Sequence, residues 1–344
     1  VPLKILIIRF SSIGDIVLTT PVVRCLKQQL NAEIHFLTKK GFRGILDSNP
    51  YIDKVYTIQS KVGEIKTELR KEKYDWVIDL HHNLRSLQVK WFLGRPSRSF
   101  NKLNLAKWLM VNLKWNLLPS THIVHRYLDT TKKLGIQYDG KGLDYFIPEG
   151  QQVQLRDIDC GSKYTPEQRK ALHQGHYVAL VIGAAHATKR MPIAKLVEIC
   201  QGIHQPVLLL GGPDDRATGD QIVQQAGTHV LNTCGNYSLH QSASLVKQAA
   251  QVITHDTGLM HIAAALRKPI ISIWGSTIPE FGMTPFYPEG LDENTTIETA
   301  NLSCRPCSKI GYDVCPKGHF RCMNDIDVAK VCAIIEQPAV EKIS

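Results

Sequence analysis

An aspartate that follows a buried strand is placed to accept a proton, and this sequence offers one early. Ser11-Ser12-Ile13-Gly14-Asp15 is a short polar turn after the apolar run Leu3-Lys4-Ile5-Leu6-Ile7-Ile8-Arg9-Phe10. Gly14 lets the backbone turn sharply or approach a ligand closely. Asp15 is expected to be ionised at neutral pH, since a free aspartate titrates near ~3.9. Its carboxylate can take a proton from an attacking hydroxyl, or simply cap the helix that follows.

A second group of residues suits phosphate oxygens. Gly183-Ala184-Ala185-His186-Ala187-Thr188-Lys189-Arg190-Met191-Pro192 combines small residues, a hydroxyl and two cations ahead of a helix. Lys189 supplies charge, Thr188 a hydroxyl, and the helix start its N–H groups. The Gly-x4-Gly-Lys-Ser/Thr spacing of a Walker loop is absent, and a solvated basic loop has the same composition. In Gly211-Gly212-Pro213-Asp214-Asp215-Arg216, Asp215 can accept from ribose hydroxyls, although Gly-Pro-Asp-Asp is also an ordinary turn. In Thr254-His255-Asp256-Thr257-Gly258-Leu259-Met260-His261 a strand ends in a polar cluster and a helix starts at once. Asp256, Thr257 and Gly258 would place hydroxyl and N–H groups around a pyrophosphate, favoured by the helix dipole. The structural alternatives are an N-cap for Asp256 and an interior histidine for His261. Another strand opens into Gly275-Ser276-Thr277.

Two further clusters stand outside these loops. Between Arg85 and Leu118 there is no acidic residue; Arg85, Lys90, Arg95, Arg98, Lys102, Lys107 and Lys114 alternate with Trp91, Phe92, Phe100, Trp108 and Trp115. Such a stretch suits an anionic glycolipid head group and a bilayer surface, single-stranded nucleic acid, or helices whose aromatic faces pack inward. Arg85, just after His81-His82-Asn83, is the acceptor-binding candidate. Cys304, Cys307, Cys315 and Cys322 lie within nineteen residues, with His319 nearby. Four soft ligands at that spacing can hold a structural zinc; packed free thiols fit equally well. Of two Asp-x-Asp sequences, Asp157-Ile158-Asp159 falls in a linker and Asp325-Ile326-Asp327 at a helix start, so neither is read as a catalytic metal site.

The elements that must position these loops alternate through the chain. Strands are expected at 3–10, 33–38, 54–58 and 75–80, then at 177–182, 206–210, 229–231, 252–255 and 270–274. Helices are expected at 193–203, 216–226, 239–249, 259–266 and 326–336, with an early one opening at Thr20-Pro21 or near Asp15. Alternation of this kind implies two doubly wound, Rossmann-like α/β domains with parallel sheets. The expected division is 1–165 for an N-terminal acceptor-binding domain, 175–322 for a C-terminal donor-binding domain, and 323–344 for a terminal helix and tail.

Bulk properties agree with this reading. The 344 residues exceed one ordinary domain, and 43% hydrophobic with 21% charged residues marks a globular chain. No apolar run approaches the roughly 18 residues of a membrane span. No secretory apolar region precedes the first strand, so a cytoplasmic location is expected, with peripheral contact at the inner membrane surface. Nine cysteines in that setting are expected to be thiols or metal ligands rather than disulfides. The net charge of +10 attracts anionic partners without choosing among them. No motif sets an oligomeric state.

The sequence resembles the family 9 glycosyltransferases, the bacterial heptosyltransferases of lipopolysaccharide core assembly. The resemblance rests on the run from Ile7 to Pro21, on Thr188-Lys189-Arg190-Met191-Pro192, and on the run from Asp256 to Ala265. It implies the GT-B fold, in which two Rossmann-like domains face a central cleft. It also implies inverting transfer from a nucleotide-sugar, typically ADP-heptose, without a catalytic cofactor. By the same resemblance Asp15 matches the general base, and Thr188 and Lys189 the diphosphate contacts. Asp256, Thr257, Gly258 and His261 match the donor loop, and Asp215 stands where the family often has Glu. The acceptor expected is a lipopolysaccharide core or lipid-linked sugar. Two alternatives are a nucleotide-sugar epimerase of similar fold and a basic nucleic-acid-binding protein, the second of which leaves the loops around Asp15, Lys189 and Asp256 unexplained.

Overall fold

A computed structural model describes residues 2–162 and 164–336. The chain forms two compact units. The first takes Val1–Lys107, Leu117–Phe146 and Glu280–Asp292, and the second Trp108–Asn116, Ile147–Pro279 and Glu293–Ser344. The end of the expected C-terminal tail, from 337 on, lies outside the described residues.

In the first unit, strands β1 (Lys4–Ile8), β2 (Glu33–Lys39), β3 (Lys54–Ile58), β4 (Trp76–Asp79) and β5 (Ser97–Ser99) form a sheet in the order β3-β2-β1-β4-β5. All its pairings are parallel. The β1 sequence Lys-Ile-Leu-Ile-Ile is apolar because both faces of a covered parallel strand are buried. Leu6, Ile8, Phe10, Leu37, Tyr56, Val77 and Val89 build the core on one face. Chain order reverses between β1 and β4, so the loops after these two strands open at the switch point where α/β folds bind ligands.

In the second unit, β6 (Val178–Val181), β7 (Val207–Leu210), β8 (Val230–Asn232), β9 (Gln251–His255), β10 (Ile270–Trp274) and β11 (Asn294–Glu298) are arranged β11-β10-β9-β6-β7-β8. They too pair in parallel. Val178, Leu180, Ile253, Ile271 and Ile273 pack with Leu196, Ile199, Val331 and Ile335. The switch here lies between β6 and β9, and therefore between the loops that begin at Gly183 and at Asp256.

The expected α/β fold is found, with differences at its margins. β5 and β11 were not anticipated: Ser97-Arg98-Ser99 and Asn294-Thr295-Thr296-Ile297-Glu298 are polar because each is a sheet edge with a wet face. The early helix is in fact two, Ile13–Val17 and Thr20–Leu30, and the second is capped at Thr19, one residue before the expected Thr20. The terminal helix begins at Val328 rather than Ile326, where Asp327 Oδ1 accepts from Lys330 N–H at 2.9 Å.

Residues 280–292 fasten to the first unit. Arg126 Nη2 donates to Phe281 O at 3.0 Å, and the rings of His122 and Phe286 stack with centroids 4.6 Å apart. Gly142, at φ +70°, passes so close that a Cβ would sit 2.5 Å from Pro288 N.

Candidate functional site

In the first unit the switch-point loop is built around one ion pair. Arg9, the residue after β1, reaches Asp15 with Nη2–Oδ1 at 2.7 Å. The same guanidinium donates to Leu80 O at 2.6 Å, Tyr127 OH at 3.0 Å and Ser11 O at 2.7 Å. Ser12 completes the grip, donating from Oγ at 2.8 Å and from N–H at 3.2 Å to Asp15 Oδ2. Burial alone would raise the Asp15 carboxyl, but the Arg9 charge and the Ser12 donors outweigh it and hold it below its ordinary value. Asp15 is thus a partly exposed carboxylate, ionised and fixed in direction. Gly14 is buried on the short helix beside it.

The loop after β4 is organised by Asp79, which is fully buried. It accepts from His82 N–H at 2.7 Å and Ser86 Oγ at 2.8 Å and pairs with Lys90 Nζ at 2.9 Å. Burial would raise this carboxyl too, and those donors bring it below its usual range. His81, on the same loop, lies edge-on to Phe10 with centroids 5.1 Å apart. Burial foremost, then the cations of Arg9 and Lys102, push it down to about 4, so it is neutral at physiological pH. Arg85 is exposed on the first turn of the Leu84–Leu93 helix, and no carboxylate among the described residues pairs with it. Neither Arg9 nor Tyr127 was singled out from the sequence, because their partnership spans far more chain than any local pattern covers.

In the second unit the two loops at the switch point meet. Lys189 Nζ lies 2.5 Å from Asp256 Oδ2, and Thr277 Oγ1 donates to the same oxygen at 3.0 Å. Thr257 is the N-cap of the Gly258–Ala265 helix and makes no side-chain cap bond. The first-turn N–H groups of that helix are therefore open to an anion. Thr257 Oγ1 lies 3.2 Å from Thr254 Oγ1. Met260, His261, Ile262, Ala263 and Ala264 are buried against the sheet. His255 accepts from Met191 N–H at 3.1 Å, and burial, with Arg190 nearby, pushes it down to about 4.

Thr188 and Asp215 have local partners. The Thr188 hydroxyl donates to Tyr312 O at 3.0 Å and accepts from Ser276 Oγ at 2.9 Å and Tyr312 N–H at 2.8 Å. It therefore ties the cysteine-rich loop to the phosphate-type loop. Asp215 is buried, accepts from Gly212 N–H at 2.8 Å and lies 3.5 Å from Arg190 Nη1. A Cβ at Gly183 would stand 2.2 Å from Asp215 Oδ2, which explains the glycine there.

All nine cysteines are free thiols. Cys322 belongs to the hydrophobic core, and burial pushes its thiol up to about 12. Among the described residues no three of Cys304, Cys307, Cys315 and Cys322 bring their sulfurs within 4.8 Å of one another, although Cys307 is within electrostatic reach of Cys304 and Cys315, and Cys322 of all three. The group that does converge is Glu33, His35 and Glu72. Lys4 already bridges its two carboxylates at 3.1 and 2.9 Å, and Lys54 pairs with Glu72 at 2.7 Å, which marks it as a structural ion network. Neither Asp-x-Asp sequence forms a cluster of ligand atoms among the described residues: Asp159 accepts from Gly161 N–H and Asp325 pairs with Arg321. Among the described residues no helix is long and apolar enough to cross a membrane.

Two parallel sheets, each with ligand-type loops at its switch point, also occur in proteins of known structure. A family 9 glycosyl transferase from Veillonella parvula superposes with a TM-score of 0.69 at 20% identity, covering 86% of each chain. The E. coli heptosyltransferase WaaC solved with ADP gives 0.66 at 20% identity, covering 98% of this chain and 100% of that one. The architecture is the GT-B fold of the glycosyltransferases. Residues 62–315 match the model for glycosyltransferase family 9 (heptosyltransferase), and the chain belongs to that family. A relative, the lipopolysaccharide heptosyltransferase 1 of Campylobacter coli, is 27% identical over 295 residues, covering 80% of this chain and 84% of that protein.

Proposed function

We propose that this glycosyltransferase moves a heptose from ADP-heptose to a sugar hydroxyl of a lipopolysaccharide core, with inversion at the anomeric carbon. The donor and acceptor follow the relatives, which are named as lipopolysaccharide heptosyltransferases, and the neighbours solved with ADP and with ADP-2-deoxy-2-fluoro heptose. The observation that carries the reading is the convergence of Lys189, Asp256 and the uncapped helix start at Thr257 on one switch point. A cation beside open N–H groups suits a diphosphate, and Asp256 with Thr277 holds the Lys189 side chain in place. Gly258 lets the backbone come close, Asp215 is the candidate for the ribose hydroxyls, and Thr188 and His261 shape the loops around them.

Asp15 takes the proton of the acceptor hydroxyl as its oxygen bonds to the anomeric carbon. The bond from that carbon to the diphosphate oxygen breaks, and ADP leaves with its electron pair and developing charge, stabilised by Lys189 and the helix N–H groups. Gly14 gives the acceptor room beside Asp15, and Arg85 is the candidate for its anionic groups. A base held at low pKa removes the proton late, as the new bond forms. Asp15→Asn is expected to lower kcat by ~10²–10⁴ while leaving the Kd for ADP within a factor of about two of wild type. Turnover near the wild-type rate would remove Asp15 from this role.

A further inference from the structure

His81 stands at the first switch point, and no group among the described residues hydrogen-bonds either of its ring nitrogens. Nδ1 is buried without a partner, and Nε2, also without one, is not buried. Buried polar atoms in native proteins are paired with few exceptions. His35, in the same unit, shows the ordinary pattern: its Nδ1 lies 2.9 Å from Tyr74 OH and its Nε2 2.9 Å from Glu33 Oε1. His81 is nonetheless held firmly. Asp79 Oδ1 accepts from His81 N–H at 3.1 Å and from His82 N–H at 2.7 Å, and the His81 ring lies edge-on to the fully buried Phe10.

The residue that fixes Asp15 also fixes His81. Arg9 pairs with Asp15 at 2.7 Å and donates to the carbonyl of Leu80, the residue before His81, at 2.6 Å. The charges of Arg9 and Asp15 both act on the imidazole, so the ring lies beside the carboxylate. The ring is neutral and carries one proton on one of its two nitrogens. A proton on Nδ1 would be a buried N–H with no acceptor, the rarer kind of orphan. A proton on Nε2 leaves a bare lone pair inside and an N–H donor on the open side of the ring. Ionised Asp15 can only accept a hydrogen bond, and Nε2–H can only donate one. A sugar presents oxygens on adjacent carbons, and a single hydrogen bond to Asp15 leaves the sugar free to turn about it. A second bond, to the neighbouring oxygen, fixes the direction of the attacking one.

We infer that His81 Nε2–H donates to the acceptor-sugar oxygen on the carbon next to the attacking hydroxyl, so that His81 and Asp15 together select an acceptor with adjacent oxygens. The inference rests on the reading above that Asp15 is the base and a sugar hydroxyl the nucleophile.

The test is kinetics and calorimetry on the full chain with ADP-heptose and a deacylated lipopolysaccharide core oligosaccharide. His81→Leu keeps an apolar side chain against Phe10 and removes the buried unpaired nitrogen, so its thermal midpoint is expected to match or exceed that of wild type. Its kcat/KM for the oligosaccharide is expected to fall about tenfold, the scale of one lost hydrogen bond, with KM for ADP-heptose within about twofold of wild type. His81→Gln, whose amide nitrogen reaches as far as Nε2, is expected to recover most of that loss. His81→Asn, whose amide nitrogen matches Nδ1, is not. A Leu variant that turns over like wild type, or Gln and Asn variants that behave alike, overturns the inference. So does a Leu variant whose thermal midpoint and ADP-heptose KM deteriorate together, the mark of a purely structural residue. Titration with the oligosaccharide alone keeps the two readings apart. Wild type that binds it about tenfold more tightly than His81→Leu, yet transfers no sugar to it, contradicts the transferase reading and supports the contact. Wild type that does not bind it overturns the contact as well.

Discussion

At the scale of single residues, the chemistry depends on how carboxylates are held. Asp15 and Asp79 are both partly or wholly withdrawn from water, which by itself would favour their neutral forms. Each is kept ionised by a cation and by hydroxyl or N–H donors aimed at it. For Asp15 the cation is Arg9, at 2.7 Å. Removing that charge while burial persists raises the carboxyl pKa, so with Asp15 as the proposed base the acid limb of the kcat/KM profile moves to higher pH. Arg9→Gln is expected to shift that limb upward by about one to three pH units, measured against a wild type that stays active to below the ordinary carboxylate range. An unmoved limb in a folded variant would show that Arg9 does not set the protonation of the proposed base. The placement of Asp15, Lys189 and Asp256 just after buried strands was readable because an apolar run followed by a polar turn has few other meanings in an α/β chain. The Arg9 network was not readable: its acceptors, Leu80 O and Tyr127 OH, come from elements joined only by folding.

At the scale of elements, a second buried arginine fixes the Thr20–Leu30 helix to the segment that crosses it. Arg24 grips Asp139 through Nε and Nη2 at 2.7 and 2.8 Å, donates from Nη2 to Gly142 O at 2.8 Å, and pairs with Asp144 through Nη1. Its side chain is 2% exposed and those of its two acids 14% and 19%. Arg24→Leu strands two carboxylates, and a loss of about 3–5 kcal/mol in unfolding free energy is expected by urea denaturation. Adding Asp139→Asn should restore part of that loss; a single variant as stable as wild type would contradict the account. Most strands were legible because β1, β6, β7, β9 and β10 are buried along almost their whole length. β5 and β11 were missed for the opposite reason, since an edge strand with Ser, Thr, Asn and Arg has the composition of a loop. The Thr20-Pro21 pair pointed to a helix start but not to the separate turn from Ile13 to Val17, because Thr19 and Thr20 turn their hydroxyls back onto Ile16 O and Val17 O.

At the scale of the whole molecule, two units of the same parallel design each open a polar loop set at their own switch point. Family membership fixes the reaction class, and the identity of the sugar nucleotide is where the account is most exposed. The basic stretch that gives the chain much of its +10 charge runs on directly from the loop after β4, and net charge alone pointed equally to membranes, nucleic acid and nucleotides. The cysteine-rich loop is tied to Thr188 through Tyr312 and contributes Cys322 to the core of the second unit. The most direct measurement is calorimetric titration of the purified protein with ADP, UDP and GDP, repeated on Lys189→Ala. The account predicts a clear preference for ADP that Lys189→Ala weakens by roughly tenfold or more, the scale of one charge-assisted contact. Preference for UDP or GDP, or ADP binding indifferent to Lys189, would contradict it.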